Sequence, residues 1–255
     1  MNMNKETVIV TGGSSGMGLG MAQHFLDLGA NVVITGRNEE KLQEALKDSM
    51  DQERILRIVM DVRDPEDVKR MVETTHEKFG DIDHLVNNAA GNFIQKAEEM
   101  SANGWKSVID IVLNGTFYCS QEVANYWIRN GRKGNILNMV ATYAWNAGAG
   151  VVHSAAAKSG VLTMTRTLAV EWGRRFGMRV NAIAPGPIER TGGAEKLFQS
   201  EKAYERTLAS VPLGRLGTPE EIAKLAAFIL STDAAYMNGE VVTLDGGQWL
   251  NQFPF

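Results

Sequence analysis

Short apolar runs alternate with longer amphipathic stretches from one end of the 255-residue chain to the other. The short runs are rich in Val and Ile and are bounded by turn-forming residues, a pattern that predicts β-strands. Seven strands are expected, at 8–10, 32–34, 55–60, 83–87, 134–140, 179–184 and 240–244. The longer stretches repeat apolar residues at helical spacing. Helices are expected at 17–28, from 39, and at 66–79, 105–130, 153–176 and 219–230.

Single strands that alternate with helices of this length are typical of a Rossmann-type, doubly wound α/β fold with a mostly parallel sheet. The chain contains no internal repeat, low-complexity segment or linker, so residues 1–255 are expected to form a single domain. The segment 186–213 interrupts the alternation. Because it follows the carboxyl end of a strand, where ligands bind in open α/β sheets, we expect it to form a lid over a substrate site.

The composition excludes several classes of partner. A net charge of −4 without a basic run argues against binding to nucleic acid or to a membrane surface. The single cysteine, Cys119, cannot form an internal disulfide, and the polar N-terminus does not resemble a signal peptide. We therefore expect a cytoplasmic protein, and no metal site is expected.

A glycine-rich turn, Thr11-Gly-Gly-Ser-Ser-Gly-Met-Gly18, lies between the first strand and the first helix. Its glycines permit a tight turn and let the backbone approach a diphosphate, while the helix N-terminus supplies unpaired N–H groups. The turn predicts a dinucleotide site. The contacts expected from it are Gly12, Ser14, Ser15, Gly16, Met17 and Gly18.

The residues that end the second strand, Thr35-Gly-Arg-Asn38, indicate which dinucleotide binds. An acidic side chain there would hold the ribose 2′-hydroxyl of NAD and repel a 2′-phosphate. Arg37 instead offers a fork of donors suited to phosphate. We therefore predict NADPH, the reduced form of NADP, as the cofactor, with Arg37 and Asn38 in its site.

The spacing Thr-Gly-x-x-x-Gly-x-Gly resembles the cofactor motif of the short-chain dehydrogenase/reductase family, and the resemblance covers essentially the whole chain. Three further segments match family motifs, and the resemblance implies that they contact or support the cofactor. They supply Asp61 and Val62 for the adenine, Asn88, Ala89, Ala90 and Gly91 after the fourth strand, and Pro185, Gly186, Ile188 and Thr191 beside the nicotinamide.

The catalytic motif of that family, Tyr-x-x-x-Lys, is altered in this chain. Lys158 is present, but Ser154 stands in place of the tyrosine, and Ala141 in place of the usual serine. A serine hydroxyl is shorter than a phenol and a weaker acid, so Ser154 cannot replace the tyrosine as proton donor. A different tyrosine, Tyr143, follows the fifth strand at the carboxyl edge of the sheet. Asn114 matches the family's helix asparagine.

Tyr143 followed by Ser-x-x-x-Lys closely resembles the 2,4-dienoyl-CoA reductases, as do the stretch 165–173 and the sequence Pro-Gly-Pro-Ile. The resemblance implies NADPH-dependent reduction of a 2,4-dienoyl-CoA in fatty acid β-oxidation, with hydride added at C5. Tyr143 and Asn114 would form an oxyanion hole for the thioester oxygen. Lys158 would bind the ribose, and Ser154 would support the lysine or the substrate. We expect protonation at C4, a 3-enoyl-CoA product and a homotetramer.

Other functions remain open. A trans-2-enoyl-CoA reductase of the same family is the nearest alternative, although those enzymes tend to lack the lysine. An enoyl-carrier-protein reductase would need a tyrosine at position 151, where this chain has Val151. Loss of the usual serine and tyrosine is also compatible with a non-catalytic NADP(H)-binding protein. The CoA phosphates require cationic partners, for which the candidates near the lid are Arg190, Lys196 and Arg206.

Overall fold

A computed structural model describes residues 2–191 and 200–251, which form a parallel sheet of seven strands with helices on both faces. The strands are β1 (Thr7–Thr11), β2 (Asn31–Gly36), β3 (Ile55–Val59), β4 (His84–Asn87), β5 (Asn135–Met139), β6 (Arg179–Pro185) and β7 (Val241–Leu244). Their order across the sheet is β3-β2-β1-β4-β5-β6-β7. The predicted doubly wound fold and all seven predicted strands are therefore confirmed.

The described helices are α1 (Gly16–Asp27), α2 (Glu39–Glu44), α3 (Pro65–Phe79), α4 (Ala102–Ile109), α5 (Gly115–Arg129), α6 (Val152–Phe176), α7 (Glu201–Ser210) and α8 (Pro219–Leu230). Several begin at side chains that accept a hydrogen bond from the first turn. Asn38 caps α2, and Thr218 and Glu221 form a reciprocal capping box at α8. These caps explain where the apolar helical pattern starts in the sequence.

Two cores lie on opposite faces of the sheet. Val8 and Val10 of β1 face the core shared with α1, α2 and α8, whereas Ile9 faces the core shared with α3 and α5. Because both faces are covered, the strands are continuously apolar rather than alternating. In the described ranges, no helix is long and apolar enough to cross a membrane.

The predicted helix 105–130 is wrong in one respect. It is two helices, α4 and α5, joined by a π-helical turn over Asp110–Asn114. The apolar pattern runs through the widened turn, so hydrophobic spacing alone does not reveal it. Such π turns within helices occur frequently at functional sites, and this one ends at Asn114.

The segment 186–213 contains more regular structure than its sequence suggests. Ile188 pairs with Gly217 in an isolated parallel bridge, and α7 lies within the segment. Residues 192–199 fall outside the described part of the chain. The lid therefore stays a prediction.

Candidate active site

The glycine-rich turn lies at the carboxyl end of β1. Gly12 has a φ of +65°, in the left-handed region that favours glycine. A Cβ on Gly18 would overlap the Gly12 carbonyl oxygen. Ser15, which precedes α1, makes no side-chain cap, and the first turn of α1 has no acidic residue. The backbone N–H groups at this helix start are thus free of side-chain acceptors and fit the diphosphate of a dinucleotide.

Asn88, just after β4, holds this turn in place. Its side-chain amide donates to the carbonyl oxygens of Thr11 at 3.0 Å and Gly12 at 3.1 Å. The backbone N–H groups of Asn88 and Ala89 donate to the Thr11 hydroxyl, each at 3.0 Å. Asn88 and Ala89 therefore support the cofactor turn from the neighbouring strand.

The loop after β6 lies against the same turn. A Cβ on Gly16 would be 3.3 Å from the Thr191 methyl group. The Thr191 hydroxyl donates to the Ile188 carbonyl at 2.8 Å, which keeps the loop compact. Pro185 ends β6 and Gly186 follows it at the carboxyl edge of the sheet. Thr191 thus borders the glycine-rich turn, and Pro185, Gly186 and Ile188 lie in the same segment after the carboxyl end of β6.

Four other predicted cofactor residues lie along this edge. The Ser14 hydroxyl lies next to Gly36 at the end of β2. A Cβ added to Gly36 would be 3.4 Å from the Ser14 hydroxyl oxygen. Met17, on α1, packs partly buried against the core. Ala90 and Gly91 continue the loop after β4, and a Cβ on Gly91 would lie 3.4 Å from a side chain of the π turn. The loop therefore reaches the helix that carries the predicted asparagine.

The predicted adenosine end of the site lies beside β2 and β3. Arg37 is exposed directly after β2, and Asn38 caps α2 by accepting from a backbone N–H at 2.8 Å. The Asp61 carboxylate accepts from Arg63 Nε at 2.9 and 3.0 Å. That hydrogen bond, with the charge of Arg37 adding to it, lowers the pKa of Asp61. Val62 packs against the start of α5. The contact from Arg63 was not predicted.

The relocated tyrosine and the serine that replaces it are brought together. Tyr143 lies in a short 3₁₀ turn directly after β5, and its hydroxyl is 3.1 Å from that of Ser154 near the start of α6. Ser154 is only 1% exposed. Burial raises the pKa of Tyr143, and the weaker effect of the Ser154 hydrogen bond opposes it. The phenol therefore keeps its proton at neutral pH and can act as a hydrogen-bond donor.

Lys158 lies one helical turn further along α6, and its Nζ donates to the Met139 carbonyl at 2.5 Å. Burial lowers the pKa of Lys158 to about 8. A chain of buried side-chain hydrogen bonds next to Lys158 was not predicted. Asn138 accepts from Asn87 and donates to Thr165, at 2.9 Å in each case. The chain ties β4, β5 and α6 together directly beneath the site.

Asn114 is the last residue of the π turn and is partly buried. Its Nδ2 donates to Oδ1 of Asp110 at 2.9 Å, and Asp110 also forms an ion pair with Lys106. The π turn packs against α6, the helix that carries the serine and the lysine. The Asp110 contact was missed, although the spacing Asp-x-x-x-Asn in a helical pattern was a signal that could have indicated it.

The cationic candidates for the CoA phosphates differ in their surroundings. Arg190 forms ion pairs with Glu189 and Glu220, so its guanidinium already has acidic partners. Arg206 lies exposed on α7. Lys196 falls outside the described residues. CoA binding by these residues stays a prediction.

Two aromatic contacts beside the predicted catalytic residues were also missed. His153 is fully buried, its ring meets that of Phe93 edge-on at 4.5 Å between centroids, and neither ring nitrogen has a hydrogen-bond partner. Trp145 meets Trp249 edge-on at 6.1 Å. The sequence signal for both was their position, since His153 precedes Ser154 and Trp145 lies two residues beyond the relocated tyrosine.

The chain is similar to known proteins over its full length. A family model described as Enoyl-(Acyl carrier protein) reductase matches residues 12–248. A Bacillus subtilis (strain 168) protein named probable 2,4-dienoyl-CoA reductase, (2E)-enoyl-CoA-producing, is 62% identical over 99% of this chain and 100% of its own. A Danio rerio peroxisomal 2,4-dienoyl-CoA reductase, (3E)-enoyl-CoA-producing, is 40% identical over 97% of this chain and 83% of its own. The crystal structure of a short chain dehydrogenase from Bacillus anthracis superposes with a TM-score of 0.94 at 64% identity, and covers 100% of both chains.

Proposed function

The chain belongs to the short-chain dehydrogenase/reductase family, and from that premise we propose that it is an NADPH-dependent 2,4-dienoyl-CoA reductase acting in the degradation of unsaturated fatty acids. The observation that carries the proposal is the 3.1 Å contact between the hydroxyls of Tyr143 and Ser154. Tyr143 thus supplies a phenol to the site, although Ser154 holds the position of the usual tyrosine. The names of relatives at 62% and 40% identity support the same activity.

A displaced phenol suits a reaction in which hydride and oxygen are far apart. When bound, NADPH would supply the hydride, which this proposal directs to C5 of the conjugated thioester. Negative charge then develops on the thioester oxygen, five bonds further along the conjugated chain. Tyr143, kept protonated by burial, and the Asn114 amide would donate hydrogen bonds to that oxygen. One donor of this kind contributes about 3–4 kcal/mol to transition-state stabilisation.

The product depends on where the dienolate takes up its proton. Protonation at C2 leaves the double bond between C3 and C4, which is a 3-enoyl thioester. Protonation at C4 leaves it between C2 and C3, which is a 2-enoyl thioester. The expectation of C4 protonation with a 3-enoyl product is therefore wrong on chemical grounds. We keep the 3-enoyl product with protonation at C2; the names of the relatives include both products, and NMR of the product distinguishes them.

The cofactor site supports NADPH through the exposed guanidinium of Arg37 at the end of β2, where an acidic residue would favour NAD. A single domain acting as a homotetramer in the cytoplasm completes the proposal. The free thiol of Cys119 is compatible with a reducing compartment: it is buried, and burial raises its pKa to about 12.

The test is NADPH oxidation by the purified full-length protein with a 2,4-dienoyl-CoA, a 2-enoyl-CoA and a 3-ketoacyl-CoA, each measured with wild type and Tyr143→Phe. We expect turnover of the dienoyl thioester and a loss in kcat of about 10²-fold or more in the variant. Tyr126→Phe is the matched control, because Tyr126 lies near the C-terminal end of α5 and donates to the Gly80 carbonyl.

Four outcomes would contradict the proposal. Turnover of the 2-enoyl thioester alone would retain the family and favour the trans-2-enoyl-CoA alternative. Turnover of the ketone, or a Tyr143→Phe variant as active as wild type, would show that the phenol is not the oxyanion donor. NADPH binding without oxidation by any thioester would identify a non-catalytic NADP(H)-binding protein.

A further inference from the structure

We infer that Asp110 is a positioning residue for the proposed reaction, holding the Asn114 amide so that one N–H faces the substrate oxygen. The inference rests on the proposed function for its substrate, and on the 2.9 Å hydrogen bond from Asn114 Nδ2 to Asp110 Oδ1 for its geometry.

The chemistry of the two groups explains why the contact matters. An asparagine amide carries two N–H donors at one end and a carbonyl acceptor at the other, whereas an ionised carboxylate only accepts. A carboxylate beside Asn114 therefore fixes the nitrogen end toward itself. One N–H is used in that contact and the second stays available to a ligand. Without Asp110, the amide could turn its oxygen toward the developing oxyanion, where it would repel charge.

The contact lies within the π turn. Asp110 and Asn114 are its first and last residues, and their spacing of four residues places the two side chains next to each other on one face of the helix. The same turn packs against α6, where Leu113 lies against Gly160, two residues beyond Lys158. Asp110 and Asn114 thus belong to a segment that contacts the helix carrying Ser154 and Lys158.

The Asp110 carboxylate is fixed in place by an ion pair that also offsets its negative charge. Lys106 pairs with its second oxygen, and the side chain is 20% exposed. The hydrogen bond and charge of Lys106, followed by Asn114 and Arg63, lower the pKa of Asp110. It therefore remains an acceptor at neutral pH. Lys106 and Arg63 also offset a negative charge that would otherwise oppose the dienolate.

A double-mutant cycle tests the inference. Asn114→Ala should lower kcat for the dienoyl thioester by about 10²- to 10³-fold, as expected when an oxyanion donor is removed. Asp110→Ala should lower kcat by about tenfold with little change in KM, because the orientation acts in the transition state. In the Asn114→Ala background, Asp110→Ala should change kcat by less than about twofold, since the amide it positions is absent. Asp110→Asn keeps an acceptor oxygen and should retain more activity than Asp110→Ala.

A spectroscopic arm makes the test independent of turnover. With ¹⁵N-labelled asparagine, the Asn114 side-chain signals are identified by their loss in Asn114→Ala. They should shift in Asp110→Ala and stay in place in Glu99→Ala, whose carboxylate contacts Gln95 and Lys96 instead. Unmoved signals in Asp110→Ala, or equal losses of kcat in both backgrounds, would overturn the inference. Failure of the proposed function alone would appear as no dienoyl turnover with the shift still present.

Discussion

The Tyr143 and Ser154 hydroxyls lie 3.1 Å apart, so the serine at the usual catalytic position contacts the tyrosine that has moved away from it. Two neutral hydroxyls share this hydrogen bond, and either can donate. If the serine accepts, the phenol has no proton left for the substrate. The serine must therefore give up that role when a substrate oxygen arrives, and it then orients the phenol by donating to it.

Ser154→Ala should therefore reduce activity less than loss of the phenol itself. A neutral hydrogen bond contributes about 0.5–1.5 kcal/mol, so kcat should fall by about 2- to 10-fold. In the Tyr143→Phe background the same change should have almost no further effect. Thr167→Val, which removes a hydroxyl from an exposed position of the same helix, is the control. A Ser154→Ala loss as large as that of Tyr143→Phe would mean that the serine acts on the substrate directly.

Lys158 should make cofactor affinity depend on pH. Burial lowers its pKa from 10.5 to about 8, so the ammonium group loses its proton as the pH rises through that value. The charged form attracts the anionic cofactor, and the Kd for NADPH should be constant near neutral pH and increase above pH 8. Lys158→Met should bind NADPH more weakly and without this dependence. Fluorescence titration of NADPH at several pH values measures both.

Lys133→Met is the control for that experiment, because Lys133 packs near Gly177 at the opposite edge of the sheet. It should keep the pH dependence of wild type. If Lys158→Met also kept it, another group would be responsible for the change in affinity.

Hydrophobic patterning was sufficient for the strands, because a parallel sheet covered on both faces requires continuous apolar runs that stop at polar turns. It could not find the π turn at Asp110–Asn114, since the inserted residue leaves the apolar spacing nearly intact. Motif matching identified Tyr143 and Ser154 because one expected residue was missing and a similar one stood nearby. Asp110 was missed although its spacing of four residues from Asn114 indicated the contact. Arg63 was missed because no pattern in the sequence indicates its contact with Asp61.

Arg37 should decide between the two nicotinamide dinucleotides. A hydrogen-bonded charge pair contributes about 1.5–3 kcal/mol, so Arg37→Met should raise the Kd for NADPH by about 10- to 100-fold and leave that for NADH nearly unchanged. The Arg63→Met variant is a useful comparison because Arg63 binds Asp61 and its loss should affect both cofactors alike. Equal losses for NADPH and NADH in Arg37→Met would show that Arg37 does not contact the 2′-phosphate.

His153 should destabilise the protein that contains it. Its ring is fully buried without a hydrogen-bond partner for either nitrogen, and an unpaired buried polar group costs about 1–3 kcal/mol. Leucine would remove that cost while keeping the apolar contact with Phe93, so His153→Leu should raise the free energy of unfolding by about 1 kcal/mol. His84→Leu should lower it, because the His84 imidazole contacts Glu6 and Asn135.

The pH dependence of the free energy of unfolding distinguishes a buried, unpaired His153 imidazole from one that is hydrogen-bonded. Burial is the largest effect on the pKa of His153 and lowers it below 6.5. Below pH 6.5 the unfolded chain therefore binds more protons at this position than the folded chain, and wild type loses stability as the pH falls. The advantage of His153→Leu in denaturant unfolding should then grow as the pH falls below 6.5. If the variant were instead less stable at pH 7 and the difference did not change with pH, the imidazole would be hydrogen-bonded in solution.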